Sequence, residues 1–337
     1  MLFPINVFAS SIVIDADTNR VLYGNNYTEK KLIASTTKIL TAMVVINNTN
    51  LEDLITIDER ILKSIGSNIY IEVGEEMKVI DLLYGLLLRS GNDAAIALAN
   101  YTGGSEEGFL LMMNSLAKSI GMKESTFVSV SGLEISAVEG NTSTAYDMAI
   151  LMRYAMQNDI FKKITGTKRH KVKTNYKSYD WYNKNKLLFE YKYTTGGKTG
   201  FTKKARRTLV TSASKNNINL IAVTLKESDD FNKHKEMYEN IFENYKKVKV
   251  VDKNNIKEMY NLYLDSNIYL TLKNNEKNKI NVEIQNVENN TKIRGYLLVK
   301  LDNDIIIKKE LMENNKENKK DDLIENIKDK IKRIFNL

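Results

Sequence analysis

The 337-residue sequence contains no cysteine, one proline, one tryptophan and two histidines. The absence of cysteine excludes thiol nucleophiles, disulfides and cysteine-ligated zinc. Because His170 and His234 are the only histidines, a metal site built from three histidines is excluded as well. His170 lies in the basic run Lys168-Arg169-His170-Lys171, which favours a solvated loop or hairpin. Catalysis by this chain must therefore use something other than a thiol.

Long apolar runs are also missing. No stretch of eighteen or more apolar residues occurs, which excludes a conventional transmembrane helix. The first eleven residues are apolar but lack a basic start, so no signal peptide is evident, and they form either a truncated remnant of one or a first strand. The formal net charge of +8 fits nucleic acid, an anionic membrane surface or an anionic polymer. Because the basic residues are scattered and no nucleic-acid reading motif accompanies them, nucleic acid is not expected as a partner.

Apolar periodicity predicts a mixed α/β domain over residues 1–247. Residues 12–14 and 21–23 flank a polar turn and predict a hairpin, and residues 209–213 and 220–225 predict a second one. Strands near both ends of this region imply a sheet closed by distant chain segments. Between and after them, helical spacing predicts helices at residues 36–46, 80–88, 94–99, 107–120, 143–156 and 232–245.

The chain beyond residue 247 has a different texture. Alternating apolar residues predict a small all-β domain over residues 248–312. A polar linker begins at residue 313 and leads to a terminal helix with a basic face and an apolar face. Such a helix either lies in a membrane interface or packs on its own protein. Its apolar face carries Leu323, Ile324, Ile327, Ile331, Ile334 and Phe335, and its basic face Lys328, Lys330, Lys332 and Arg333.

A possible nucleophile and its base occur at Ser35-Thr36-Thr37-Lys38. On a helix this spacing places the hydroxyl and the amine on one face, one turn apart. Serine is a weak nucleophile without an adjacent base, and lysine serves as that base only if burial or a nearby cation lowers its pKa. If Ser35 stands at a helix N-terminus, the backbone N–H groups there would also stabilise the negative charge that develops during its reaction.

The same Ser-x-x-Lys spacing recurs at Ser115/Lys118 and Ser212/Lys215, so it is weak evidence alone. What distinguishes Ser35 is the later occurrence of Ser90-Gly91-Asn92 between two helical stretches and Lys198-Thr199-Gly200 entering a strand. The Gly-Lys-Thr sequence is not a phosphate-binding loop, because Lys192 stands where its first glycine belongs and a strand follows.

Each element of this trio has a predicted task. Ser90 relays a proton between Lys38 and the leaving amine, and Asn92 offers an amide to the substrate backbone. Lys198 supplies the cation that keeps Lys38 partly neutral, while Thr199 and Gly200 offer a strand edge for substrate pairing.

This ordered trio resembles that of the penicillin-recognising serine enzymes. The wider sequence resembles the low-molecular-mass penicillin-binding D-Ala-D-Ala carboxypeptidases, strongly over residues 10–245 and more loosely beyond. The stretches that carry this resemblance are Ser11-Ile12-Val13-Ile14-Asp15, Val21-Leu22-Tyr23, residues 34–42, residues 88–95 and Ser143-Thr144-Ala145-Tyr146-Asp147-Met148-Ala149.

The resemblance implies an α/β (α+β) catalytic domain of the β-lactamase/transpeptidase type, with helices around an antiparallel sheet. It implies an acyl-enzyme on Ser35, with Lys38 as base and an oxyanion hole formed by the N–H groups of Ser35 and Phe201. It further implies stem peptides of peptidoglycan ending in D-Ala-D-Ala as substrate, β-lactams as inhibitors, no cofactor or metal, and a place on the outer face of the cell membrane, held by the terminal helix.

Three departures from the family pattern concern substrate recognition. Ser129-Val130-Ser131-Gly132-Leu133 replaces an Asn-Pro-His-Gly-Leu stretch, and Ala205-Arg206 replaces an Ala-Gly pair. A family arginine that holds the substrate carboxylate is replaced near Lys233-His234-Lys235, and Arg206 or Arg207 is a candidate replacement. The alternatives to a carboxypeptidase are a β-lactamase and a cell-wall-binding protein with weakened catalysis.

Overall fold

The computed structural model describes residues 9–134, 136, 139–287 and 293–313. These residues form two compact units, with the boundary between Asn244 and Tyr245. The linker and terminal helix predicted for residues 313–337 lie outside the described residues, except for Glu313, which ends a strand. In the described ranges, no helix has the length and apolar character needed to cross a bilayer.

The strands of the first unit are β1 (Ser10–Asp15), β2 (Val21–Asn25), β3 (Lys31–Leu32), β4 (Leu54–Thr56), β5 (Glu76–Lys78), β6 (Thr142–Ser143), β7 (Arg169–Lys173), β8 (Ser178–Tyr182), β9 (Thr194–Thr202), β10 (Arg206–Lys215) and β11 (Ile218–Leu225). Five of them form one antiparallel sheet in the order β2-β1-β11-β10-β9. The early hairpin thus joins the late strands, and the predicted α/β class with a sheet closed by distant segments is confirmed.

Both predicted hairpins are present, and turn chemistry explains the second one. Asn216 and Asn217 connect β10 to β11 with φ values of 53° and 62°. Asparagine tolerates this left-handed region better than most residues, and two such residues in succession match the twist of the flanking strands. The basic run around His170 also lies in a hairpin, formed by β7 and β8. His170 is only partly exposed, because its ring contacts Asp81 at 2.7 Å and stacks on Tyr84.

The helices of the first unit are α1 (Lys38–Asn48), α2 (Val79–Tyr84), α3 (Asn92–Gly103), α4 (Glu106–Ser119), α5 (Ala145–Ala155), α6 (Asp159–Gly166), α7 (Leu187–Glu190) and α8 (Asp230–Asn244). Polar caps fix several of their starts: the side chains of Ser105, Thr144 and Asn158 accept hydrogen bonds from the amides of the first turn. A π-helical turn, Gly85–Arg89, follows α2 directly.

Alternate residues of the sheet face two different layers, as the two-residue period of a strand requires. Ile221 and Val223 of β11 belong to the main apolar core, which also includes residues of α1, α3 and α5. On the other face, the hydroxyl groups of Thr211 and Thr224 contact His234 of α8. The sheet therefore lies between two helical layers, and β9 forms one of its edges.

The second unit consists of β12 (Tyr245–Val251), α9 (Lys253–Tyr260), β13 (Leu262–Tyr263), β14 (Ile268–Lys273), β15 (Ile280–Asn286), β16 (Ile293–Leu301) and β17 (Asp304–Glu313). Strands β12 and β14 form one ribbon, and the order β13-β17-β16-β15 forms a four-stranded sheet. The second unit has its own apolar core, which includes Leu270, Leu272, Leu297, Val299 and Leu311. The alternation at residues 268–272 thus marks buried strand positions, as expected for a β-rich segment, and α9 is an addition that the apolar pattern did not predict.

Candidate active site

Ser35 lies on a tight turn at the entrance to α1. The turn Ala34–Thr37 is a 3₁₀ helix, and α1 itself begins only at Lys38. Ala34 takes a left-handed φ of 47°, and the Thr36 hydroxyl donates to the Ile33 carbonyl at 2.6 Å. These features turn the chain sharply before the helix and leave Ser35 partly exposed while its neighbours are buried.

Lys38 is fully buried, and its amine contacts three uncharged oxygens. The Nζ atom lies 3.2 Å from Ser35 Oγ, 2.7 Å from Asn92 Oδ1 and 2.7 Å from the Ser131 carbonyl oxygen. Burial lowers the pKa of Lys38 to about 7, with a further contribution from the positive charge of Lys184 and an opposing one from Asp93. A substantial fraction of this amine is therefore neutral near pH 7.

The partners of Lys38 determine the direction of proton transfer. The Asn92 and Ser131 oxygens can only accept hydrogen bonds, so they take both N–H groups of the neutral amine. The remaining lone pair of the neutral amine then faces Ser35 Oγ, 3.2 Å away, and could accept its proton. The arrangement is that of a nucleophile beside its general base.

Ser90 and Asn92 lie where the π-helical turn ends and α3 begins. Ser90 takes a left-handed conformation with φ of 66°, and its buried Oγ has no hydrogen-bond partner among the described residues. Asn92 accepts from Lys38 through Oδ1 and donates to the Ile65 carbonyl through Nδ2 at 2.6 Å. Both ends of the Asn92 amide are therefore occupied by protein atoms, so its visible role is to orient Lys38, and its contact with substrate stays a prediction.

A buried carboxylate holds the loop that supports Asn92. Asp93 accepts hydrogen bonds from the amides of Ile69, Tyr70 and Ile71 at 2.7–3.3 Å. The same loop supplies the Ser67 carbonyl, which accepts a hydrogen bond from the backbone N–H of Asn92 at 2.7 Å. Several amide donors satisfy the Asp93 charge, which explains how it can remain buried.

The third motif lies on the edge strand β9, directly opposite Ser35. A Cβ atom on Gly200 would lie 3.0 Å from the Ser35 amide nitrogen and 2.3 Å from Thr208 Oγ1, so the strand approaches the turn as closely as glycine allows. Phe201 follows and is 61% exposed, and Thr199 is partly exposed. The structure thus brings Ser35 and the Lys198-Thr199-Gly200-Phe201 strand together, as the oxyanion hole predicted for Ser35 and Phe201 requires.

The role predicted for Lys198 is to supply positive charge beside Lys38. Its side chain is buried, its Nζ donates to the Thr199 carbonyl at 2.7 Å, and burial together with Lys38 and Lys184 lowers its pKa well below the ordinary lysine value. Two buried amines of this kind do not both hold their protons easily near neutral pH. The role of Lys198 as the cation that keeps Lys38 partly neutral stays a prediction.

Among the three departures, two involve side chains that are already engaged. Arg207 forms an ion pair with Asp230 at 2.6 Å and lies over the Phe231 ring. His234 is completely buried, and burial lowers its pKa to about 3, so it carries no charge at neutral pH. The departure at Ser131 has a simple explanation, because Lys38 contacts its backbone carbonyl, which any residue can provide.

Two charged residues near the site were not identified by sequence motifs. Asp93 lies within residues 88–95, one of the stretches that carry the family resemblance, but no role was predicted for it. Lys184 lies outside every stretch and motif that the sequence singles out. Lys184 occurs in Asn183-Lys184-Asn185, where the two asparagines are buried and the lysine is exposed. This alternation is also typical of an ordinary surface strand, so only the fold reveals that the charge of Lys184 acts on Lys38 and Lys198.

A comparison with known proteins agrees with this geometry. Residues 6–229 match the family model described as D-alanyl-D-alanine carboxypeptidase. The D-alanyl-D-alanine carboxypeptidase DacF of Bacillus subtilis is 37% identical over 220 residues, covering 64% of this chain and 56% of that protein. The chain thus spans about half the length of such curated relatives; DacC of Escherichia coli, 35% identical over 231 residues, is also covered over 56% of its length.

Solved structures give the same result for the fold. The D-alanyl-D-alanine carboxypeptidase of Mycobacterium tuberculosis H37Rv superposes with a TM-score of 0.62 at 30% identity, covering 64% of this chain and 81% of that chain. Penicillin binding protein 5 of Haemophilus influenzae, at 23% identity, shares the fold over 93% of this chain and 98% of its own, with a TM-score of 0.75. The chain therefore belongs to the D-alanyl-D-alanine carboxypeptidase family of serine peptidases, peptidase family S11.

Proposed function

We propose that this protein is a serine-type D-Ala-D-Ala carboxypeptidase that removes the terminal D-alanine from peptidoglycan stem peptides. The observation that carries the proposal is the orientation of Lys38, whose two acceptor-only partners leave its lone pair facing Ser35 Oγ. Family membership and the position of the β9 edge beside Ser35 support the same reaction.

In the proposed reaction, Lys38 takes the proton of Ser35 while Ser35 Oγ bonds to the carbonyl carbon between the two D-alanines. The N–H groups of Ser35 and Phe201 stabilise the resulting oxyanion. The carbon–nitrogen bond then breaks, and the leaving amine receives a proton from Lys38 through the Ser90 hydroxyl. Water hydrolyses the ester and restores Ser35. The unpartnered Ser90 Oγ is suited to this relay because none of the described protein groups competes for it.

The proposal extends to the domains, the location of the enzyme and the substrate contacts. Residues 1–247 would form the catalytic domain, residues 248–312 a small β domain and residues 313–337 a linker and membrane-associating helix. The substrate places the enzyme at the outer face of the cell membrane, with β-lactams as inhibitors that acylate Ser35. Asn92, Lys198, Thr199, Gly200 and Phe201 would contact the substrate, and no cofactor is required.

The direct test is D-alanine release from a pentapeptide ending in D-Ala-D-Ala, with the D-Ala-L-Ala peptide as the matched control. We expect release from the first peptide only. Rapid turnover of a β-lactam instead of slow loss of its adduct would favour a β-lactamase. An adduct without D-alanine release would favour a cell-wall-binding protein with weakened catalysis.

The pH dependence of acylation provides a separate prediction. The base must be neutral, so the rate should be low when Lys38 is protonated and should rise with pH through a midpoint near 7. The rate constant for acylation by a β-lactam, measured from pH 5 to 9, checks this. A rate that keeps rising up to pH 9 without a midpoint, as a base with the ordinary lysine pKa of 10.5 would give, would contradict a lowered pKa for Lys38.

A further inference from the structure

Lys184 lies beside the loop that supports the catalytic residues. Its ammonium contacts Ser67 Oγ at 3.2 Å, and the Ser67 carbonyl accepts a hydrogen bond from the backbone N–H of Asn92. Asn92 in turn holds the amine of Lys38. The Lys184 amide also donates to the Leu88 carbonyl at 3.0 Å, two residues before Ser90. A short series of contacts therefore connects Lys184 to the general base.

The two neighbouring asparagines fix the backbone of Lys184. The side-chain Nδ2 of Asn183 donates to the Thr165 and Thr167 carbonyls, and its Oδ1 accepts a hydrogen bond from the backbone N–H of Asn185. Asn185 is buried, and its side-chain oxygen accepts a hydrogen bond from the backbone N–H of Leu187, the first residue of α7. The position of the Lys184 backbone is thus set by buried hydrogen bonds, although its side chain extends into solvent.

The charges around this site are unusual because three amines have no acidic partner. Lys38, Lys184 and Lys198 contact hydroxyl, amide or carbonyl oxygens, and no ion pair engages any of them in the described part of the chain. The charged groups that act on Lys38 are Lys184 and Asp93 of α3, and Lys38 in turn acts on the amine of Lys198 on β9. Asp93 already accepts several backbone hydrogen bonds, which offset part of its charge.

Of the three amines, only Lys184 reaches solvent. Water stabilises its charged form, whereas Lys38 and Lys198 are buried. Partial burial and the nearby Arg89 lower the pKa of Lys184, but its exposure favours the protonated form. A solvated cation at this position repels a proton on Lys38 without competing for Ser35.

We propose that Lys184 is a positioning residue of this site, whose positive charge adds to the effect of burial and favours the neutral form of Lys38 that accepts the Ser35 proton. The proposal rests on the proposed function, since it assigns the electrostatic control of the same base. It gives the role of fixed cation to Lys184, and leaves Lys198 free to contact substrate.

The test is the pH profile of acylation by a β-lactam in Lys184→Gln. Loss of the neighbouring charge makes Lys38 easier to protonate, so the midpoint should move upward by about half a pH unit. Acylation at pH 6 should slow about three-fold, while the plateau above pH 9 should not change. Because an exposed charge is screened by salt, the difference from wild type should shrink between about 0.01 M and 1 M ionic strength.

Three variants separate the electrostatic role from a structural one. Lys184→Arg should retain the wild-type midpoint, and Lys186→Gln, which removes an exposed charge from the same segment, should not shift it. Lys184→Glu should shift the midpoint further than Lys184→Gln. Equal slowing at every pH, or a midpoint that does not respond to charge at position 184, would overturn the proposal.

Failure of the proposed function would look different. Acylation by a β-lactam does not require D-alanine release, so the profile can be measured even if the peptide is not a substrate. If no β-lactam reacts, the titration of Lys38 can be followed by NMR in ¹³C-lysine-labelled protein, with its signal assigned by loss in Lys38→Met. Wild type should then titrate at lower pH than Lys184→Gln, and identical titrations would contradict the inference.

Discussion

Replacement of Lys38 by methionine is expected to slow acylation of Ser35 by about a hundred- to ten-thousand-fold, the range typical of a lost general base. Methionine fills a similar volume and removes the amine that faces Ser35 Oγ at 3.2 Å. It also leaves Asn92 Oδ1 and the Ser131 carbonyl without their donor, so some loss of stability is expected as well. The measurement is the second-order rate constant for acylation by a fluorescent penicillin.

The chain offers a matched control for this variant. Lys118 also lies three residues after a serine, Ser115, but both side chains are exposed on α4. Lys118→Met should therefore acylate at the wild-type rate. A thermal melt of Lys38→Met distinguishes loss of the base from loss of the fold. Wild-type acylation by a folded Lys38→Met protein would show that another group removes the proton from Ser35.

Replacement of Gly200 by alanine is expected to lower the acylation rate by about a hundred-fold. The added Cβ would lie 2.3 Å from Thr208 Oγ1 and 3.0 Å from the Ser35 amide nitrogen, so β9 must move away from the turn that carries Ser35. Displacements of about 1 Å at a reacting centre have effects of this size. The same acylation assay measures the loss.

Thr208 provides the control for Gly200→Ala. Its hydroxyl donates to the Ile33 carbonyl at 3.0 Å and is the nearest obstacle to the new methyl group. Combining Gly200→Ala with Thr208→Ala removes that obstacle and should recover part of the lost rate. If Gly200→Ala retains full activity, the close approach of β9 to Ser35 is not needed for acylation.

Much of the site could be predicted because its motifs are local in sequence. The Ser35-Thr36-Thr37-Lys38 spacing needs only one turn of helix to bring the two side chains together, and the structure confirms a contact at 3.2 Å. The alternating apolar runs of β10 and β11, with Asn216 and Asn217 between them, likewise predict their hairpin from short-range chemistry.

The accidental copies of the spacing show what local patterns cannot decide. The Ser212 hydroxyl forms a hydrogen bond with the Thr195 hydroxyl, and Lys215 forms an ion pair with Glu239. These contacts connect two strands of the sheet and join the sheet to α8, so neither side chain is available as a nucleophile or base. The spacing alone does not separate such pairs from Ser35 and Lys38; the two later motifs indicate which pair matters, and the tertiary structure explains why, because it determines which amine loses its contact with water.

The other features that the sequence did not reveal depend on long-range packing. The 3₁₀ turn before α1 and the left-handed conformation of Ser90 arise where separate elements meet. Helical periodicity predicts neither the 3₁₀ geometry at residues 36–37 nor the backbone conformation between the helical stretches 80–88 and 94–99. The neutral state of His234 follows from its burial under the sheet. Lys184 comes close to Lys38 across 146 positions of sequence, and no spacing rule connects them.

The most direct test of the account is intact-mass spectrometry of wild type and Ser35→Ala after incubation with benzylpenicillin. The account predicts one covalent adduct on the wild type, located at Ser35 by peptide mapping, and none on Ser35→Ala, with both proteins folded by circular dichroism. An adduct that persists in Ser35→Ala, or a folded wild type that forms none, would contradict the assignment of Ser35 as the nucleophile.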